Sequence, residues 1–318
     1  MDTPKLPPFS SLLKSREVED PVNLWLHRPL AYAFVAAVFR TPMTPNMVTV
    51  LAMIVGVGAG ACFLHGGASL MVLGGALLWA SSILDGADGI LARAKKMQSE
   101  FGRALDGAAD SVVAVVTVFP AFFHVYATTH QVLYVYLAVP AILFTLPHLY
   151  FYDFYKESYL RMTRPERGGE GQDVANVEAH LAEKKAKGEA SSLVNFIITQ
   201  MMLPMLRSEV AWVGMTNPDA LGELRTSKPT AERAEIFRKH NRLPMRFWMA
   251  VSLCPHSYIM AICAMFDRLD LYLWIRLVAM NVIFVIGLFV QRRASRATLR
   301  EWAATDGAGG SAAVGATA

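Results

Sequence analysis

Charge is scarce in this sequence. Of its 318 residues only 18% are Asp, Glu, Lys or Arg, against about 25% in ordinary soluble domains. Hydrophobic residues make up 54%, and the mean hydropathy is +0.33. That balance excludes a soluble module, because the apolar residues come in long runs that no soluble core of this size needs. Cysteine is equally sparse. Cys62, Cys254 and Cys263 all fall inside apolar runs, without metal-ligand spacing or a disulfide framework, so they read as small hydrophobes. A strongly basic surface is missing as well: the net charge is only +4, and no nucleic-acid partner is expected. Residues 1–20 are mixed polar, with Pro7 and Pro8, and lack the apolar core and small-residue cleavage site of a signal peptide.

What the chain has instead is apolar segments of spanning length. A membrane-crossing helix needs about 20 mostly apolar residues. Six runs qualify: Asn46–Leu64, Ser69–Leu91, Gly102–Tyr126, Val132–Tyr152, Met245–Phe266 and Leu271–Val290. Asn23–Phe39 mixes a Trp, a His and an Arg with apolar residues, the pattern of a helix lying in the interface rather than crossing it. The fold class is therefore all-α: a polytopic membrane helix bundle of six transmembrane helices preceded by an interfacial amphipathic helix.

Basic residues give a topology. Lys5, Lys14, Arg16, Arg28 and Arg40 precede the first span, and Arg93, Lys95, Lys96 and Arg103 join the second to the third. The segment 153–244 is rich in Lys and Arg, and Arg292, Arg293, Arg296 and Arg300 follow the last span. The intervening loops carry none, or a single Arg beside acids. This alternation puts both termini, the Arg93 loop and the long insertion in the cytoplasm. Leu193–Met215 is apolar, but Pro204, Arg207 and Glu209 interrupt it, so it is expected on the membrane surface or packed on the bundle. Val174–Ala186 reads as a soluble amphipathic helix and Thr305–Ala318 as a disordered tail. The expected organisation is a polar segment 1–22, the juxtamembrane helix and four spans in 23–157, an insertion 158–244, two spans in 245–297 and a tail 298–318.

Four carboxylates sit where carboxylates are expensive. Asp85 and Asp88 lie near the basic end of the second run, and Asp106 and Asp110 in the first turns of the third. A charged side chain at the centre of an inserted helix costs about 2.5–3.5 kcal/mol, and four together repel one another. Asp85 and Asp88 are three residues apart and share a helix face, while Gly102, Asp106 and Asp110 form a stripe at four-residue spacing. The short loop between the helices makes them antiparallel neighbours, so the acidic faces can meet. A divalent cation is the economical compensation, and carboxylate oxygens favour Mg²⁺, Mn²⁺ or Ca²⁺. Small residues (Gly89, Ala92, Gly102, Gly107, Ala108, Ala109) allow close helix approach or room for a ligand. For Gly107, simple packing is the expectation.

The pattern Asp85-x₂-Asp88-Gly89-x₂-Ala92-Arg93-x₈-Gly102-x₃-Asp106-x₃-Asp110 resembles the full signature of the CDP-alcohol phosphotransferase (CDP-alcohol phosphatidyltransferase) family, with all eight specified positions matched. At roughly one in twenty per position, chance agreement is negligible. Thr44-Pro45-Asn46-x₂-Thr49 resembles the short element that precedes the first helix in many members. The resemblance covers residues 23–157 well, 245–297 only as a helix pattern and the insertion hardly at all.

The resemblance implies a phosphotransferase that moves a substituted phosphate from a CDP-alcohol to an acceptor hydroxyl. Asp85, Asp88, Asp106 and Asp110 would hold two divalent ions, Mg²⁺ or Mn²⁺, and Asp110 would also act as general base. Gly89 and Arg93 would contact the nucleotide and its phosphates, Ser99 and Gly102 would lie near the CDP group, and Thr44, Pro45, Asn46 and Met47 beside the cytidine. It also implies a homodimer. His148, His256, Arg246 and Lys156 are candidates for the acceptor pocket, although interface snorkelling or a satisfied buried His is the blander reading for each.

The expected reaction is transfer of phosphatidyl from CDP-diacylglycerol to a polar alcohol in phospholipid biosynthesis at the cell membrane. Alternatives are a CDP-linked small alcohol donating to diacylglycerol or another alcohol, and a cation transporter using the intramembrane carboxylates. Clustering at one face rather than at mid-depth speaks against transport. The topology is testable with a tag at the C-terminus. It is expected to be accessible only from the cytoplasm; an extracellular tag would overturn the six-span count and make Leu193–Met215 a crossing.

Overall fold

In the computed structural model, which describes residues 6–12, 15–164, 174–186, 195–196 and 198–315, all regular secondary structure among the described residues is helical. The helices that matter for the argument are α1 (Arg28–Val38), α2 (Pro45–His65), α3 (Ala68–Lys95), α4 (Glu100–Thr129), α5 (Leu133–Leu143), α6 (Thr145–Thr163), α7 (Val174–Ala186), α8 (Leu203–Thr216), α9 (Ala231–Ala250), α10 (Leu253–Met265), α11 (Leu269–Trp274) and α12 (Met280–Gly315). Six helical stretches are long and apolar enough to cross a membrane: Pro45–His65, Ala68–Lys95, Phe101–Thr129, Leu133–Thr163, Ala231–Met265 and Leu269–Asp306. The all-α polytopic bundle is thus the architecture observed.

Local chemistry sets the helix ends near the carboxylates. Thr44 has extended backbone and its Oγ1 accepts from Met47 N–H at 3.3 Å, while Pro45 fills the first turn of α2, where its missing N–H costs nothing. At its other end α3 stops in a left-handed residue, Lys96 (φ 55°), and the N–H of Met97 donates to Ala92 O at 2.9 Å. Three residues later Ser99 caps α4, its Oγ accepting from Gly102 N–H at 2.9 Å. A sharp stop followed at once by a capped start turns the chain back antiparallel within a few residues.

α2, α3 and α4 pack through small residues. A Cβ on Gly60 of α2 would stand 1.9 Å from the Val116 carbonyl oxygen of α4, and one on Gly75 of α3 would stand 2.5 Å from the Ala261 carbonyl of α10. Backbone meets backbone there, the small-residue packing that replaces hydrophobic driving force inside a membrane. Gly107 does not take part: a Cβ there meets nothing within 4 Å, and the residue is exposed. The packing role expected for it is corrected accordingly.

The remaining helices build a second, aromatic core. Phe151 and Tyr155 of α6, Trp248 of α9 and Phe284 of α12 stack or meet edge to face at centroid distances of 5.1–5.8 Å. α9 begins at Ala231, fourteen residues before the apolar run expected to start at Met245. Its polar turns run alongside the end of α12, joined by Arg233–Asp306 at 2.6 Å, Lys239–Glu301 at 2.8 Å and His240–Glu301 at 2.7 Å. Hydropathy registers only the apolar half of such a pair. α12 itself continues to Gly315, well past Val290 and into the segment expected to be disordered.

α7 has the bounds read from the sequence, and α8, from the apolar stretch near Leu193–Met215, packs on α6 and is not among the six stretches long and apolar enough to cross a membrane. The turn-like Gly168–Gly171 and Leu193 itself lie outside the described residues. The polar segment before α1 is not peripheral: Leu12, Ser15, Val18, Glu19 and Asp20 are buried, and Tyr152 OH donates to Val18 O at 3.0 Å.

The close approach gives a paired test. Gly60→Ala is expected to cost about 1–3 kcal/mol or more, because backbone cannot yield as a side chain would, whereas Gly107→Ala should stay within about 0.5 kcal/mol of the parent. Thermal unfolding in detergent reads both; equal effects would contradict the packing described.

Candidate functional site

Asp85 and Asp88 approach Asp106 across the α3–α4 pair. One carboxylate oxygen from each lies within 4.8 Å of the others, the only group of three or more such ligands among the described residues. Asp110, one turn further along α4, lies against Asp85. Asp85 is ten residues before the end of α3, about 15 Å along the axis, and Asp106 six after the start of α4, so the group lies near one mouth of the bundle. The N-terminal segment is at the same mouth, since Leu12 O accepts from Arg93 Nε at 2.7 Å.

The donor set fits a hard divalent ion. Trans oxygens around Mg²⁺ stand about 4.2 Å apart, so the observed spread closes on an ion with small rotamer changes. All the candidate ligands are carboxylates, which Mg²⁺ and Mn²⁺ favour over softer donors. Crowding them among apolar helices costs desolvation and mutual repulsion, both of which a bound cation relieves.

The other residues singled out from the sequence fall into two groups. Thr44 and Ser99 use their hydroxyls as helix caps, and Pro45 is the first residue of α2. Asn46 reaches the start of α4, its Oδ1 lying 3.3 Å from where a Cβ on Gly102 would be. The Arg93 guanidinium lies over Gly89, 3.5 Å from where a Cβ would sit there. Asn46 thus meets Gly102 and Ser99 across the start of α4, and Arg93 covers Gly89 on α3. Met47, in contrast, is 53% exposed. Arg246 is also exposed, on α9. His148 and His256 are buried and stacked at 5.7 Å, with His148 Nε2 3.3 Å from Asn281 Oδ1; they read as a satisfied buried pair. Lys156 pairs with Asp153 and lies over the Tyr152 ring at 4.8 Å.

Two residues with no role at the site expected from the sequence also contribute. Thr49 Oγ1 donates to Asp88 Oδ2 while also reaching Pro45 O. Its place five residues after the cap, on the inward face of α2, was the available signal. Arg28, from the juxtamembrane helix, donates through Nη1 to Gly86 O at 3.1 Å, and its charge acts on Asp85. Nothing in the spacing of residues 23–39 pointed to that contact.

An antiparallel membrane bundle with a carboxylate site between two adjacent helices defines the class. Residues 42–163 match the CDP-alcohol phosphatidyltransferase family, so the chain carries a CDP-alcohol phosphatidyltransferase domain over that segment, which holds α2–α6 and all four aspartates. No curated protein matches the chain. The family match supports a transferase that takes a phosphate-linked group from a CDP-alcohol. Members of the family generally use divalent metals.

On α8, outside the spans, Glu209 is buried near Asp153 and Lys156. Burial pushes its carboxyl up to about 8, with the negative charge of Asp153 adding and Lys156 opposing. The folded protein therefore holds a proton on Glu209 that the unfolded chain releases near the ordinary value of 4.5. Stability contributed by that proton is full below 4.5 and lost as pH rises toward 8. Glu209→Gln is expected to match the parent in acid and to exceed it increasingly up to about pH 8, by no more than about 5 kcal/mol. Unfolding midpoints across pH check this; a constant difference would contradict it.

Proposed function

We propose that the chain transfers a phosphatidyl group from CDP-diacylglycerol to the hydroxyl of a polar alcohol, releasing CMP, as a step in phospholipid synthesis. The observation that carries this reading is the meeting of Asp85, Asp88 and Asp106 within 4.8 Å inside the segment that matches the family. A lipid-tailed donor accounts for a polar site at the mouth of an apolar bundle: acyl chains stay beside the helices while the CDP end reaches water. The neighbouring Arg93, Lys95, Lys96 and Arg103 support a cytoplasmic mouth.

Asp85, Asp88, Asp106 and Asp110 would hold two divalent ions, Mg²⁺ or Mn²⁺. When bound, such ions neutralise pyrophosphate charge and stabilise the attacking and leaving oxygens. Thr49, by donating to Asp88, orients one carboxylate. Arg93 turns its Nη groups over Gly89, where no side chain blocks a phosphate and a guanidinium fork can take two oxygens. Thr44, Pro45, Asn46, Met47, Ser99 and Gly102 frame the nucleotide end between the start of α2 and the α3–α4 turn. Asp110, at the edge of the tight trio, accepts the acceptor's hydroxyl proton. The acceptor oxygen then bonds to the distal phosphorus as the anhydride bond breaks. The bridging oxygen and its electron pair leave with CMP.

Purified protein with Mn²⁺ or Mg²⁺, CDP-diacylglycerol and a panel of alcohols tests the reading through CMP release. Acceptor-dependent CMP is expected, and Asp110→Asn should lower turnover by at least about 10²-fold while nucleotide is still retained. CMP release from no CDP-alcohol with any acceptor would overturn the proposal, and normal turnover in Asp110→Asn would remove that residue's role as base.

A further inference from the structure

The residues that match the family begin at 42, yet the carboxylate site is touched from before that point. Arg28 lies at the start of α1 with its side chain only 16% exposed. Its Nη1 donates at 3.1 Å to Gly86 O, the peptide between Asp85 and Asp88. Its Nε donates at 2.8 Å to Glu19 Oε2, whose own side chain is 4% exposed. Asn23 Nδ2 supports the same Glu19 oxygen at 3.3 Å, while Glu19 Oε1 is buried with no hydrogen-bond partner. The segment carrying Glu19 is itself pinned: Val18 O accepts from Tyr152, and Glu17 accepts from Tyr159 and Arg238.

We propose that Arg28 is a positioning residue of the carboxylate site, held by Glu19, and that this pair outside the matched domain sets how tightly the aspartates bind a divalent ion. Two physical effects act together. The guanidinium spans two acceptors at once, fixing the α3 backbone from which Asp85 and Asp88 project. Its positive charge also acts on Asp85, in competition with a metal ion. Glu19 cancels much of that charge, so the aspartates keep their affinity while Arg28 keeps its hold on Gly86. Groups of this kind, one step removed from the ligands, typically change metal affinity 10–100-fold when lost.

The inference rests on the carboxylates binding metal, and its test needs no turnover. Full-length protein in detergent is titrated with Mn²⁺, and the unfolding midpoint is followed from an EDTA-treated start. The parent should be stabilised by Mn²⁺. Glu19→Gln should need at least about tenfold more Mn²⁺ for the half-maximal shift, because the Arg28 charge is no longer offset. Arg28→Lys keeps the charge but cannot bridge Glu19 and Gly86, and should show the same direction; it also serves if Glu19→Gln does not fold. Parent-like half-maximal Mn²⁺ in the folded variants, even with a lowered midpoint in EDTA, would overturn the positioning role and leave only a structural one. A parent that Mn²⁺ does not stabilise would overturn the metal-site reading underneath it.

Discussion

Repulsion among Asp85, Asp88, Asp106 and Asp110 is the constraint around which this bundle is arranged. Two helices crowd these side chains together beside apolar segments, and the arrangement is tolerable only if positive charge is admitted and the carboxylates are held. Close packing of α2, α3 and α4 supplies the hold. Gly60 lets α2 meet the α4 backbone, while on the α3 side Ser81 Oγ donates to Ala52 O and Thr49 of α2 reaches Asp88. The left-handed stop at Lys96 and the Ser99 cap reverse the chain so that the stripe on α4 faces the pair on α3. The acidic site is thus a consequence of backbone geometry more than of side-chain adaptation.

The positive charge beside the carboxylates comes from Arg93 on α3 itself and from Arg28 on α1. Arg93 is drawn toward the N-terminal segment by Leu12 O, and Arg28 is drawn toward α3 by Gly86 O. These contacts tie Leu12 and Arg28, both before the matched residues, to the mouth of the bundle. The same segment continues to α6 and α9 through Val18 and Glu17. Residues before the matched domain therefore connect the carboxylate helices to the aromatic half of the bundle, where Tyr155, Trp248 and Phe284 pack.

Much of this was legible in the sequence, for reasons that can be stated residue by residue. The six spans follow from uninterrupted hydropathy, and the meeting of Asp85, Asp88 and Asp106 from three- and four-residue spacing on helices joined by a short turn. Thr44 and Ser99 sit where caps are needed. What escaped depends on distance along the chain. Arg28 meets Gly86 across 58 residues, and no periodicity encodes such a contact. α9 was placed too late because Lys239 and His240 look like insertion, although Glu301 on α12 offsets their charge within a helix pair. Small residues in membrane helices usually pack, which is why packing is expected of Gly107, yet a Cβ there would meet nothing within 4 Å.

The central claim is that the aspartates form one divalent-metal site between α3 and α4. Electron paramagnetic resonance of the full-length protein titrated with Mn²⁺ tests it most directly. The account predicts two ions per chain with the broadened spectrum of a coupled pair, lost in both Asp88→Asn and Asp106→Asn. Isolated, uncoupled Mn²⁺, or a coupled pair that survives both substitutions, would contradict it.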